Sequence, residues 1–477
     1  MPHLDDHIRE LNPWWQGPGR LTDDPHLREL ARAGFDWTPP VAETIPLEPG
    51  SVHTLRGPRQ VGKTTTLKRF VQRLVESGER RVLYFSFDLE RDNRAIRDVV
   101  VRAKQIHPDP EGPWYIFLDE VTSIPDWQLG IKYLWDAGAI RNDLVLCTGS
   151  SARKMGAERL PGRRGEGRDY VQLPMSFRAF CRSVAGLELP DETVEVAEWL
   201  TPAGHRLARE LYLRVEALTD AVDLYARVGG FPGAVRDYLK TGSVSGATIR
   251  MLWDVVASDI QDAGYDKHSS LRLLERIGVS LGSPVAWDNL KEAMGVGSHD
   301  TVRRYAHLLS ESFVLLTVFH WAMGGAFEPS RQRKLYFLDP LFARIAPTLI
   351  PGGREPASDG LLENLVATAL YASASDRLTL ADPLPGTIGY WKSRDGRETD
   401  FVAPTDPQHW GSDRVPVEVK GDAKRGVSGA RLSMRRSFGR GIVVTRRVFD
   451  LGEIPAIPIG VLLAGLAARV ERTEADP

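Results

Sequence analysis

The chain has 477 residues, of which 42% are hydrophobic, and its 61 Lys and Arg against 63 Asp and Glu leave a formal net charge of −2. That length predicts about three domains, and the charge balance gives the chain as a whole no nucleic-acid-binding signature. Two cysteines, Cys147 and Cys181, exclude a disulfide framework or a cysteine metal cluster, and no apolar run approaches the ~20 residues of a membrane helix, so a cytoplasmic protein without membrane contact is expected.

Residues 1–45 form a polar, initially acidic leader with Trp14, Trp15 and Trp37, to which no motif assigns a role. Ser51 to Arg56 reads as a short strand running into Gly57-Pro58-Arg59-Gln60-Val61-Gly62-Lys63-Thr64, with Thr65 opening a helical pattern. This is G-x-x-x-x-G-K-[ST] in its strand–loop–helix setting, in which backbone N–H groups and a helix N-terminus wrap phosphates. Lys63 is expected on the β- and γ-phosphates of ATP and the Thr64 hydroxyl on Mg²⁺.

Trp114 to Leu118 reads as a buried strand ending in Asp119 and Glu120. Asp119 is the expected magnesium acid, and Glu120 the expected general base for the attacking water. Asp143 to Cys147 is a second buried strand, tipped by Thr148 and Ser150, which are placed to sense the γ-phosphate because parallel strand tips converge on the ligand. Between it and a strand at 169–173 lies a basic loop. There Arg163, then Arg164, is the candidate arginine finger for a neighbouring subunit; a plain surface loop is the alternative.

The stretches RGPRQVGKTT, YIFLDEV, CTGSSA, LPGRR, LPMSFRAF and GGFPGAV follow one another in an order that resembles a widespread bacterial and archaeal AAA+-type ATPase family. In that family the carboxyl-terminal half is a domain of unknown function. The resemblance runs from about residue 45 to about residue 465. It implies an α/β ATPase core (46–204), a helical lid (205–262) and further modules, and a homo-oligomer, usually a hexamer.

From His268 to Phe319 the pattern is helix, turn, helix, turn, helix and strand, as in a winged helix-turn-helix domain (263–325). Ser298 is the expected N-cap of the third helix, whose Arg303, Arg304 and His307 would face DNA. Protein-protein spacing is the competing use of such a fold.

The remainder (326–477) begins with the amphipathic helix DGLLENLVATALY, which carries Glu363. A strand at 389–392, a Ser393-Arg394-Asp395-Gly396 turn and a return strand bearing Asp400 follow, then RVPVEVKG with Glu418 and Lys420. This order resembles the PD-(D/E)xK nuclease fold. Glu363, Asp400 and Glu418 are then the expected ligands of a Mg²⁺ or Mn²⁺, with Lys420 on the same strand face as Glu418. Residues 423–449 hold eight basic residues and no acid: Lys424, Arg425, Arg431, Arg435, Arg436, Arg440, Arg446 and Arg447. They suggest a phosphate-backbone track, with a solvated helix face as the alternative.

Three functions remain open at this point. The first is an ATP-driven machine remodelling or translocating on branched or damaged DNA. The second is an ATP-gated, metal-dependent nuclease. The third is a nucleotide-dependent signalling switch that binds a protein, for instance in a toxin or defence system.

Overall fold

The computed structural model describes residues 2–90, 92–109, 111–149, 167–374, 388–405, 413–421 and 424–467. They fall into two compact units, the first within residues 1–173 and the second from residue 174 onward. Ser150, Arg163 and Arg164 lie outside the described residues. Among the described residues, no helix is long and apolar enough to cross a membrane.

The first unit is built on β1 (Ser51–Arg56), β2 (Val82–Ser86), β3 (Tyr115–Asp119), β4 (Leu144–Gly149) and β5 (Asp169–Val171). All are parallel, in the order β2-β3-β4-β1-β5. The inner strands read as unbroken apolar runs because helices cover both faces of a parallel sheet. β1 and β4 are buried at every position. Leu83, Phe85, Ile116, Leu118 and Val145 form one core with Ile96, Val99, Trp127 and Ile131 of the helices Arg94–Ile106 and Trp127–Asp136. β4 lies between β1 and β3, so the loops after all three open on the same edge.

The leader has a structural role that its sequence did not disclose. Its first helix, α1 (Pro2–Leu11), seats a fully buried Ile8 in this core, a contribution of about 1.5–3 kcal/mol for a side chain of that size. Beyond it, Asn12 behaves like a strand residue toward the edge strand β2. It accepts from Tyr84 N at 2.7 Å and donates to Tyr84 O at 2.9 Å. The indole N–H groups of Trp14 and Trp15 both donate to Val82 O, at 3.0 and 2.8 Å. Side chains thus occupy backbone groups that an edge strand otherwise offers to any passing strand.

In the second unit, the region expected as a lid holds the helices Pro202–Tyr212, Val215–Val228, Pro232–Thr241 and Gly246–Asp262. Lys267–Gly278, Trp287–Met294 and α2 (His299–Glu311) follow. Ser298 caps α2, its Oγ accepting from Thr301 N at 3.1 Å. Next come β6 (Leu315–Trp321), β7 (Phe327–Phe337), α3 (Ser358–Ala374), β8 (Gly389–Lys392), β9 (Glu398–Pro404), β10 (Arg414–Val419), α4 (Lys424–Ser437), β11 (Ile442–Thr445) and β12 (Ala456–Pro458).

These strands make one seven-stranded sheet, ordered β12-β11-β10-β9-β8-β6-β7. β8, β9 and β10 run antiparallel in turn, and the crossover through α4 places β11 parallel to β10. The strand expected as a wing, β6, hairpins with β7 and pairs with β8, so a boundary at residue 325 falls inside a continuous sheet. Alternation identified the strand, while its partners were set by tertiary packing. Pro416, which has no N–H to give, sits in β10 just before pairing with β11 begins at Val417.

Candidate functional sites

The P-loop leaves the buried end of β1 and enters the helix Lys63–Glu76 through Gly62, at φ 99°. Gly57 also has a positive φ, 152°, and a Cβ there would lie 2.2 Å from Gln172 O, so only glycine fits. Gln60 is left-handed without being glycine, at φ 62°. Lys63 is buried and donates to Gly57 O and Pro58 O, both at 3.0 Å, which folds its ammonium back over the loop.

The Thr64 hydroxyl donates to Asp119 Oδ2 at 2.6 Å. Thr148, at the tip of β4, donates to Asp119 Oδ1, and Tyr84 OH donates to Asp119 Oδ2 at 2.9 Å. Asp119 is 2% exposed, and its oxygens face the hydroxyl with which it would share a magnesium ion. The two oxygen donors are hard, adjacent and at the mouth of the phosphate loop, so they fit Mg²⁺. Glu120 follows in a left-handed conformation, φ 51°, and its N–H donates to Thr148 Oγ1 at 3.2 Å. A non-glycine residue held there stores strain of a kind concentrated at functional turns.

Sequence reasoning missed three supports of this site. Gln172, just past β5, accepts from Thr66 Oγ1 at 2.9 Å and donates to Val61 O at 2.9 Å, clamping the loop to its helix. Burial, with the Asp119 charge second, pushes Tyr84 well above the usual phenol range, so it remains a proton donor to Asp119. Lys68 is 1% exposed and pairs with the leader's Asp24 at 2.7 Å, its Nζ 3.3 Å from the Tyr84 ring centroid. Burial lowers the Lys68 pKa, and Asp24 opposes that. A cavity of about 530 Å³ beside Thr64 and Asp119 is walled by Lys68, Tyr84 and the leader's Arg9 and Asp24.

The second constellation lies in the carboxyl-terminal sheet. The fold brings Glu363 of α3, Asp400 of β9, Glu418 of β10 and Lys420, the residue just past β10, together, as expected from their order. At their centre stands a residue that was not anticipated. Lys334 of β7 is 0% exposed, and its ammonium lies 3.0 Å from Glu363 Oε1, 3.0 Å from Glu398 Oε1 and 2.9 Å from Asp400 Oδ1. Tyr336, two residues on and therefore on the same strand face, donates to Glu363 Oε1. Asp400 Oδ2 accepts from Val419 N at 2.9 Å. Glu418 Oε1 lies 2.6 Å from Lys420, and its Oε2 accepts from Asp400 N at 3.2 Å.

Burial alone would lower Lys334, but the Asp400, Glu363 and Glu398 carboxylates raise it above the usual lysine range. Glu363 and Glu418 are raised, first by burial and then by the Asp400 charge. Among the described residues no group of three or more His, Cys, Asp or Glu is arranged to hold a metal ion. The metal-ligand roles expected of Glu363, Asp400 and Glu418 do not fit this geometry, in which five of their six carboxylate oxygens face N–H, hydroxyl or ammonium donors.

The basic stretch also differs from its appearance in sequence. Arg431 pairs with Asp450 at 2.6 Å, Arg446 with Asp223 at 2.6 Å and Arg447 with Glu216 at 3.4 Å. Arg435 pairs with Glu453, and Arg440 with Asp413. The fold supplies the acids that the local sequence lacks, so five of the eight charges already have carboxylate partners. Arg425 and Arg436 are exposed on α4, as are Arg303 and Arg304 on α2; Arg303 lies 3.5 Å from Asp300.

The strand order and the Lys63–Thr64–Asp119–Thr148 geometry define a P-loop nucleotide-binding core. Accordingly, residues 50–181 match the family described as AAA domain, and residues 219–346 match a domain of unknown function, DUF8612. No curated protein matches the chain. Among solved structures, the Orc1 protein of Aeropyrum pernix in complex with DNA superposes at 14% identity and TM-score 0.29, over 74% of this chain and 96% of that one. The RuvB Holliday junction branch migration motor of Thermotoga maritima superposes at 15% identity and TM-score 0.25, over 59% of this chain and 83% of that one. Cdc6p of Pyrobaculum aerophilum does so at 16% identity and TM-score 0.22, over 72% and 96%. Superpositions this loose carry no functional weight; the AAA-domain match and the site's own geometry do.

Proposed function

We propose that this chain is a Mg²⁺-dependent ATPase whose hydrolysis cycle acts on DNA. The observation that carries the ATPase reading is the Asp119 carboxylate, held at once by Thr64, Tyr84 and Thr148 at the mouth of the P-loop. Thr64 and Asp119 would hold the magnesium ion, which draws charge off the β- and γ-phosphates. Lys63 exchanges its loop carbonyls for phosphate oxygens, the Thr65 hydroxyl and the Gly57–Gly62 amides line the phosphates, and Glu120 takes a proton from the attacking water. Arg163 or Arg164 would complete the charge stabilisation in a neighbouring copy of a homo-oligomer.

The DNA part rests on the capped helix α2, which exposes Arg303 and Arg304. Duplex or branched DNA should stimulate ATP turnover in the wild type and not in Lys63→Ala. A turnover rate indifferent to every DNA form removes DNA from the reading. One observation favours a second reading, a nucleotide-dependent switch that binds a protein: most of the basic stretch after Gly421 is neutralised within the fold.

A further inference from the structure

We propose that Lys334 takes the place of a divalent cation, so that the carboxyl-terminal sheet holds a metal-free, non-hydrolytic version of a nuclease-type cluster. The inference goes beyond the ATPase reading and does not depend on DNA stimulation. Metal-dependent phosphodiester cleavage needs carboxylate oxygens aimed at one shared point, with a place left for water. Here that point is filled by an ammonium that donates to Glu363 and Asp400 and forms an ion pair with Glu398, all at 2.9–3.0 Å. The second oxygen of Asp400 is bound by Val419 N, and both oxygens of Glu418 have donors in Lys420 and Asp400 N.

Lys334 is not a mobile surface side chain that a metal displaces. It is fully buried and sits in mid-strand, its backbone in register with Val318 of β6. Expelling it from the carboxylates strands a buried ammonium, which is far costlier than leaving the ion pairs intact. Three ammoniums, Lys334, Lys392 and Lys420, also face the four carboxylates, since Lys392 pairs with Glu398 at 3.0 Å. Little charge remains to recruit Mg²⁺ or Mn²⁺.

The test is Mn²⁺ binding to the nucleotide-free full chain, read by electron paramagnetic resonance, in wild type, Asp400→Asn and Lys334→Met. The expected result is equal Mn²⁺ binding by wild type and Asp400→Asn, and an additional Mn²⁺ site in Lys334→Met. A Mn²⁺ site present in wild type and lost in Asp400→Asn overturns the proposal, as does a folded Lys334→Met that gains none. Should either variant fail to fold, Fe²⁺ and ascorbate on the wild type decide. Bound iron would cut the backbone near residues 398–420, and an intact backbone there sustains the proposal.

Discussion

Gln172 and Val61, 111 residues apart in the chain, are joined by a 2.9 Å hydrogen bond from the Gln172 amide to the Val61 carbonyl. The amide oxygen holds Thr66 Oγ1 at 2.9 Å. One side chain therefore fixes both the phosphate loop and the first turns of its helix. Gln172→Ala leaves a buried carbonyl and a buried hydroxyl without these partners, a cost of about 1–3 kcal/mol each before relaxation. Chemical denaturation should show that loss, and a fluorescent ADP analogue should bind more weakly. Gln172→Glu is expected to be worse, since a carboxylate cannot donate to Val61.

Glu120→Gln separates binding from chemistry. The amide keeps the side chain's size but takes no proton, so ATP affinity should stay near wild type while turnover falls by about 10²–10⁴-fold, the usual worth of a positioned general base. Thr64→Ala should weaken Mg²⁺-ATP more than metal-free ATP if the Thr64 hydroxyl is the proposed ligand of the ion; equal weakening of both would remove it from that role. Equal turnover in wild type and Glu120→Gln would return the role of base to another group.

His53 gives the first unit a pH dependence. Its Nδ1 accepts from Arg168 N at 3.0 Å and its Nε2 lies 2.9 Å from Ser51 Oγ, the pattern of a neutral ring. Burial holds its pKa down at about 4, below the 6.5 of an ordinary imidazole side chain. A depressed folded pKa means that the stability is fully present above about pH 6.5 and is lost as pH falls through about 4. Its size over that window is of the order of 3 kcal/mol. Denaturation curves of wild type and His53→Gln between pH 7 and pH 4 should converge on the acid side; curves that stay parallel would show that His53 does not titrate in this window.

Removal of residues 1–16 should make the chain associate. It strips Asn12, Trp14 and Trp15 from β2 and leaves the Tyr84 and Val82 backbone groups open on a sheet edge. Light scattering after size exclusion should register larger, polydisperse species. The milder Asn12→Ala should stay dispersed but lose about 1–3 kcal/mol of stability.

What was legible in the sequence was contiguous. The P-loop, Asp119 with Glu120, and Thr148 each lie within one short run, and strand–loop–helix periodicity put them on one sheet edge. Ser298 as a cap and the Ser393–Gly396 turn were equally local. The unread parts depend on contacts across long separations: Asp24 to Lys68, Tyr84 to Asp119, Gln172 to Val61. Lys334 left a faint signal, a lysine and a tyrosine two apart on one face of the otherwise apolar Lys334–Leu338 run. The acid-free stretch misled for the reverse reason, since Asp223, Glu216, Asp413, Asp450 and Glu453 reach it only through folding.

The continuity of the second sheet has a mechanical meaning. α2 passes into β6 through residues 312–314 alone, with Phe313 locked at φ 58°, and β6 is stitched along its length to β7, which carries Lys334. A backbone bond of 2.8 Å from Val285 N to Arg333 O ties the loop before the helix Trp287–Met294 to the residue beside that lysine. No slack linker separates the helix bearing Arg303 and Arg304 from the buried ammonium. A load applied to that helix is therefore delivered to the charge cluster as to the far end of a stiff beam.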